Sequence, residues 1–299
     1  MNQRPLLATI VYTLFALLAF AGNSVLCRLA LGEQSIDAGS FTIIRLFSGI
    51  IVLSMLWYLT QATQTKPASI TGRGSWSAAL MLFIYALGFS YAYISLDTGT
   101  GALILFGAVQ ITMILVSLWR GARLLWVEWL GLGLAFSGFV YLLKPAINTP
   151  SLWGFILMMA AGIAWGIYTL IGRGSVNPLA DTHFNFLRTL PLIILTLIIT
   201  LALGDSVLSF NGVMLAVLSG AVASGIGYAV WYRALSGLSA VQAAVLQLMV
   251  PVIAAAGGVV FTDEIISVRL LLAALLVLGG ILLVVVGRYY MLVRQSQPD

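Results

Sequence analysis

Charged residues divide this chain into long, uncharged and strongly apolar segments. An α-helix rises 1.5 Å per residue, so about 20 apolar residues span the hydrocarbon core of a bilayer. Two of the segments, 129–143 and 189–204, are shorter than this, but each can extend into apolar residues beyond a flanking charge. The ten segments are 5–27, 46–65, 74–96, 98–119, 129–143, 145–172, 189–204, 206–232, 234–262 and 270–287. They predict an all-α polytopic membrane protein with ten transmembrane helices, because helices satisfy their own backbone hydrogen bonds in lipid.

Composition supports this interpretation. The chain has 299 residues, of which 61% are hydrophobic and 8% charged, whereas soluble domains carry roughly 25% charged residues. The basic residues are scattered singly, so we expect no nucleic-acid partner. Cys27 is the single cysteine, and an internal disulfide or a cysteine zinc motif is therefore excluded. We expect no metal, no cofactor and no catalytic site.

The positions of Lys and Arg predict the orientation in the membrane. If the N-terminus is cytoplasmic, ten of the 14 Lys and Arg residues lie on the cytoplasmic side and four on the far side. We therefore expect a multi-pass protein of the bacterial inner membrane with both termini in the cytoplasm. The lipid bilayer is its expected partner, and we expect a monomer.

The chain contains a weak internal repeat. Residues 88–114 and 225–251 align without gaps at an offset of 137, which places Gln110 over Gln247. Further matches follow in the same order: 20–28 over 165–173, and 41–45 over 184–188.

The repeat divides the chain into five-helix halves, 1–144 and 145–299. Because five is odd, the halves must lie inverted relative to each other in the membrane. Inverted repeats are typical of secondary transporters, whose substrate site lies near the midplane between the repeats.

This organisation resembles the drug/metabolite transporter superfamily, in its EamA-type branch of ten-helix exporters. The supporting motifs are the stretch Ala234 to Ala240, Pro251, Asp263-Glu264 and Gly279-Gly280. The first half departs from the family pattern, with alanine at position 122 and no proline in the fourth helix. Within the branch the chain is similar to YddG-type exporters of aromatic and other amino acids. The resemblance implies a central cavity lined by helices 1, 3, 4, 6, 8 and 9, and transport by alternating access.

Aromatic and amide side chains within the apolar segments are the candidate substrate contacts. Trp165 and Tyr168 share one face of the sixth helix, and Gly162 and Gly166 form a GxxxG on an adjoining face, suited to close helix contact. The alternative is that the aromatic residues face lipid and that the amides bond a neighbouring helix. The candidate substrate-binding residues are Trp165, Tyr168, Phe20, Asn23, Tyr85, Phe89, Gln110, Tyr228 and Gln247.

Ionisable residues constrain the mechanism. Arg45 and Arg188 lie a few residues inside the second and seventh helices. We expect their side chains to reach the membrane interface, and the alternative is a gate ion pair or a contact with a substrate carboxylate. No Asp or Glu lies in the middle third of a predicted helix. This pattern favours uncoupled or weakly coupled transport and disfavours a strongly charged substrate.

The sequence thus predicts an exporter of small, net-neutral, partly apolar metabolites, with amino acids, including aromatic ones, as the expected substrates. Alternatives are an exporter of nucleobases or drugs, or a channel or sensor. An intramembrane enzyme is disfavoured, because one His, one Cys and no central carboxylate leave no catalytic set.

Overall fold

The computed structural model describes residues 6–62, 73–121, 125–144, 150–173, 175–204, 206–235, 237–238 and 240–295. Within these residues the regular structure is helical, apart from one isolated bridge between Ile36 and Leu208. The first five helices are α1 (Leu6–Gly32), α2 (Ala38–Ala62), α3 (Trp76–Ala92), α4 (Thr98–Trp119) and α5 (Trp126–Leu143). The second five are α6 (Leu152–Gly172), α7 (Pro178–Arg188 with Leu190–Leu203), α8 (Phe210–Leu218, Ser219–Ile226 and Gly227–Leu235), α9 (Ala240–Gln247 with Met249–Phe261) and α10 (Val268–Gln295).

In the described part of the chain, nine of these helices are long and apolar enough to cross a membrane. The tenth, α3, is equally apolar but has 17 residues. The prediction of an all-α polytopic membrane protein is confirmed.

Successive helices run in alternating directions, so their turns gather at two ends of the bundle. At the first, the end of α1 meets the α3–α4 turn, where Arg28 contacts the carbonyl oxygen of Tyr93. We call this the Arg28 end. At the opposite end, which we call the Arg173 end, the first turn of α1 meets the α8–α9 turn near Gly237. Since α6 starts beside the α3–α4 turn at Gly154, α1 and α6 run in opposite directions.

The contacts between helices are reciprocal across the two halves. The helix α1 packs against α8 and α9, whereas α6 packs against α3 and α4, and α5 pairs with α10. Close approach of α6 to α4 depends on Gly162 and Gly166, where an added Cβ would touch Ala108 and Thr112. The prediction that this GxxxG is a close helix contact is confirmed.

Three helices of the second half are not continuous α-helices. Breaks occur at Thr189 in α7 and at Leu248 in α9. Pro191 and Pro251 explain them, because proline lacks an N–H and its ring clashes with the carbonyl four residues earlier. The middle of α8, Ser219–Ile226, is a π-helix composed mostly of small residues.

Candidate substrate cavity

A cavity of about 480 Å³ opens at the Arg173 end of the bundle. The α1, α4, α6, α8 and α9 helices all contribute side chains to it, and Arg173 lies at its mouth. Its volume is in the range of small-molecule sites. Six of its 17 lining residues are aromatic: Phe20, Trp165, Tyr168, Tyr228, Trp231 and Tyr232.

The aromatic rings of this wall contact one another. The ring of Trp165 stacks on Tyr168 with a centroid distance of 5.2 Å and lies 4.9 Å from Tyr228. Phe20 contacts Tyr228 and Trp231 edge-on, at 5.9 and 5.8 Å. Such arrangements present ring faces and edges to a bound apolar or aromatic group.

A much smaller cavity, about 20 Å³, lies deeper in the bundle. Phe20, Trp165 and Tyr228 line both cavities and separate them. Asn23, Tyr85 and Phe89 complete its wall together with Leu105, Phe106 and Ala223. Its volume is enough for about one water molecule.

A polar network forms the floor of the small cavity. The hydroxyl oxygen of Tyr85 accepts hydrogen bonds from Arg45 Nη2 at 2.9 Å and from Asn23 Nδ2 at 3.3 Å. Asn23 Oδ1 in turn accepts from Ser219 Oγ at 2.5 Å. The network therefore joins α1, α2, α3 and the π-helical part of α8.

Arg45 does not reach the membrane interface, so the expectation for this residue was wrong. Its side chain is buried, with the guanidinium carbon 5.0 Å from the ring centroid of Tyr85 and 4.8 Å from that of Phe89. Nε donates to Ser224 Oγ at 3.4 Å, but Nη1 has no partner. The physical reason is that α3 and α8 supply aromatic faces and hydroxyls that a sequence cannot place beside α2. Arg188 does lie near the bundle surface, over the ring of Trp76.

The structure brings eight of the nine candidate residues to the two cavities. Five line the large cavity: Phe20, Trp165, Tyr168, Tyr228 and Gln247. Asn23, Tyr85 and Phe89 line the small one. Gln110 lines neither cavity, and its buried Nε2 has no hydrogen-bond partner. The two glutamines paired by the repeat thus occupy different environments.

The Arg28 end of the bundle is closed by charged and polar contacts. Arg28 lies 3.3 Å from Glu264 and 3.6 Å from the more exposed Asp97. The Glu264 carboxylate also accepts from the backbone N–H and the hydroxyl of Thr98 at 2.9 Å, which caps α4. Partial burial and the charge of Glu264 raise the pKa of Asp97, and Arg28 opposes the shift. Outside this cluster a polar depression of about 1080 Å³ opens outward.

The described residues also limit the chemistry available at the cavity. Their acidic side chains all lie in turns or in the first turn of a helix. Among them there is no group of three or more His, Cys, Asp or Glu residues that could hold a metal ion. The cavities are therefore equipped for binding through aromatic, amide, hydroxyl and guanidinium groups.

Comparison with known proteins supports a transport role for this architecture. Residues 152–286 match the EamA-like transporter family. An uncharacterised protein of Pseudomonas aeruginosa is 50% identical over 261 residues, covering 87% of this chain and 88% of that protein. A solved crystal structure of another protein covers 95% of this chain and 98% of its own, with a TM-score of 0.62. At 17% identity, that likeness shows the fold alone.

Proposed function

The chain belongs to the EamA-like transporter family of the drug/metabolite transporter superfamily, and on that premise we propose that it is a secondary transporter exporting small, net-neutral, partly apolar metabolites. Amino acids, including aromatic ones, are its proposed substrates. The nine candidate residues are the proposed substrate contacts, and 1–144 and 145–299 the proposed inverted repeats. We place the protein in the bacterial inner membrane as a monomer with cytoplasmic termini.

One observation carries this proposal: an aromatic cavity opens at one end of the bundle while ion pairs close the other end. A channel needs a path open at both ends, whereas alternating access needs a site open to one side at a time. This difference between the two ends also fits two five-helix halves that lie inverted relative to each other. Arg28 and Arg173 are matching positions in the repeat, and only Arg28 is in an ion pair among the contacts described.

The wall of the cavity favours an apolar or aromatic body on the substrate. Stacking and edge-on contacts with Trp165, Tyr168 and Tyr228 would add to the free energy gained by burying apolar area. Gln247 supplies an amide for a polar group. The described acidic residues lie in turns or in the first turn of a helix, and the cycle we propose has no carboxylate proton relay.

The test is flux of labelled amino acids, nucleobases and cationic drugs in proteoliposomes, with Trp165→Ala as the diagnostic variant. Loss of the central ring should reduce amino-acid flux at least about tenfold, because stacking and burial of apolar area by an aromatic side chain together contribute over about 1 kcal/mol to binding. Trp153→Ala is the matched control, since Trp153 lies on the same helix but is 74% exposed.

Amino-acid flux that Trp153→Ala preserves and Trp165→Ala abolishes would support the proposal. Flux of nucleobases or drugs without amino acids would replace the proposed substrate class. Equal flux in both variants would remove the cavity from the transport path.

A further inference from the structure

Arg45 is a buried cation for which the described part of the chain provides no anion. Its side chain is 2% exposed. Tyr85 and Ser224, which accept its two hydrogen bonds, are neutral, and Nη1 has no partner at all. A guanidinium removed from water is strongly stabilised by a paired anion and costly without one. Because no described side chain supplies this anion, we infer that a bound ligand supplies it.

The position of Arg45 points to the same conclusion. Tyr85 and Phe89, whose rings the guanidinium covers, are also wall residues of the small cavity. The guanidinium thus lies one side chain behind that cavity. Since the small and large cavities share Phe20, Trp165 and Tyr228, a molecule in the large cavity could reach it past these rings.

We propose that Arg45 binds the carboxylate of the transported molecule, and that the cargo class is small monocarboxylates with an apolar or aromatic body. This inference rests on the proposed transport function and names the group that the site recognises. It departs from the net-neutral substrate class in one respect, because a monocarboxylate without an amino group carries one negative charge, which Arg45 would balance. The apolar or aromatic part of the molecule lies against Trp165 and Tyr228, and its carboxylate points toward Arg45. The small cavity has room for about one water molecule, so in this proposal the side chains of Tyr85 and Phe89 move aside to enlarge it. The planar guanidinium can then hold the carboxylate through two parallel hydrogen bonds.

The neighbouring polar groups suit a carboxylate. In the structure, the Tyr85 hydroxyl oxygen accepts hydrogen bonds from both Arg45 and Asn23. When a carboxylate takes the bond from Arg45, the Tyr85 hydroxyl can turn its proton toward the carboxylate, and Asn23 Nδ2 is a further donor. No described acidic side chain lines either cavity to pair an amino group. The recognition that we propose therefore uses the carboxylate and not the α-amino group, and amino acids are one subset of the cargo.

The experiment compares 3-phenylpropionate with 2-phenylethylamine, which share a phenyl ring but carry opposite charges. Binding to the purified protein is followed by tryptophan fluorescence, and transport by counterflow in proteoliposomes. We expect 3-phenylpropionate to bind and move at least about tenfold better, because hydrogen bonds to charged groups discriminate by that factor or more. Phenylalanine serves as the zwitterionic third probe.

Arg45→Gln should lower the affinity for 3-phenylpropionate about 10- to 100-fold. Arg45→Lys should retain part of it, because an ammonium keeps the charge but loses the planar fork. Arg188→Gln is the matched control, since Arg188 is the repeat counterpart of Arg45 and lies outside both cavities. Should Arg45→Gln fail to fold, the selectivity of the wild-type protein between the two probes still decides the matter.

The outcomes separate the two proposals. Transport of 2-phenylethylamine as good as that of 3-phenylpropionate, or an Arg45→Gln variant that binds both unchanged, would overturn the carboxylate subsite and leave the transport function intact. Arg45-dependent binding of 3-phenylpropionate without flux of any probe would overturn the transport function and leave the subsite. Absence of both binding and flux of 3-phenylpropionate would overturn the carboxylate subsite, and the transport function would fall with it only if phenylalanine also showed no flux.

Discussion

At the scale of single residues, Tyr85 is where the polar floor and the aromatic wall meet. Its ring lies 4.8 Å from that of Trp165 and 5.5 Å from that of Phe89. Its hydroxyl oxygen accepts from Arg45 and Asn23. One side chain thus fixes the position of a guanidinium, an amide and an indole.

Tyr85→Phe should therefore destabilise the protein although it keeps the ring. Two buried donors lose their acceptor, which costs about 1–3 kcal/mol and should appear as a lower melting temperature in detergent. Tyr91→Phe is the control on the same helix, because Tyr91 is 41% exposed. Equal melting temperatures for the two variants would mean that the floor network contributes little to stability.

The residues of the cavity differ in how far sequence could identify them. The three-residue spacing of Trp165 and Tyr168 puts them on one helix face, and their repeat partners Phe20 and Asn23 are also cavity residues. For Arg45, sequence shows only its distance from the end of α2. Its burial depends on Tyr85 and Ser224, which are 40 and 179 residues away, and no local pattern encodes that contact.

At the scale of elements, the π-helical centre of α8 is the most unusual segment near the cavity. Gly220 allows it to touch α2, because an added Cβ would overlap the carbonyl oxygen of Arg45 and the hydroxyl of Ser48. Ser219 and Ser224, at either side of this contact, bond Asn23 and Arg45. The segment therefore aligns the polar floor with the backbone of α2.

Gly220→Ala should destabilise the protein by about 1–3 kcal/mol or more, as overpacking of a close contact does. Gly279→Ala is the matched control in α10, where nothing lies within 4 Å of the added Cβ. There, alanine should be neutral or stabilise by up to about 1 kcal/mol. Thermal unfolding in detergent measures both, and a Gly220→Ala protein as stable as Gly279→Ala would contradict the packing described.

Helix interruptions were partly predictable for a physical reason. Proline breaks the α-helical hydrogen-bond ladder by itself, so Pro191 and Pro251 could be read directly as irregular points in α7 and α9. A π-helix needs one residue more per hydrogen-bonded turn and has no comparable single-residue cause. The small residues of Ser219–Ile226 permit it, and Gly220 within this segment contacts α2.

At the scale of the whole molecule, the two ends of the bundle differ in what closes them. The carboxylate of Glu264 joins α1, α4 and the α9–α10 turn, through Arg28 and the first residue of α4, Thr98. Opening this end requires those contacts to break together. Cys27, the one cysteine of the chain, directly precedes Arg28 in α1 and is buried, so its exposure to a labelling reagent can report such opening.

Glu264→Gln should increase labelling of Cys27 by a membrane-impermeant maleimide. Weakening hydrogen bonds between charged groups costs about 1.5 kcal/mol or more, which corresponds to about a tenfold gain in the open population. Asp97→Asn is the control: its side chain is 63% exposed, and exposed ion pairs contribute about 1 kcal/mol or less. Unchanged labelling in Glu264→Gln would show that this cluster does not hold the end closed.

The number of helices and their alternation follow from hydrophobic length and charge spacing, which act locally. Which helices contact each other across the halves does not, since α1 with α8 and α9, and α6 with α3 and α4, are pairings between distant segments. The repeat in sequence predicts inversion, and the opposite directions of α1 and α6 are consistent with it. The apposition of Arg28 and Glu264, 236 residues apart, arises only from that packing.

The buried guanidinium of Arg45 also has an electrical consequence. With a monocarboxylate that lacks an amino group bound, the site is neutral, whereas the empty site carries one positive charge. In alternating access the site faces first one side of the membrane and then the other. If the charge of Arg45 moves across the membrane field with the site, the voltage acts on the step in which the empty carrier returns. It does not act on the step in which the neutral, loaded site crosses. A full crossing of one charge corresponds to about 2.3 kcal/mol per 100 mV. A negative interior would then hold the empty site toward the cytoplasm, where it meets its next cargo.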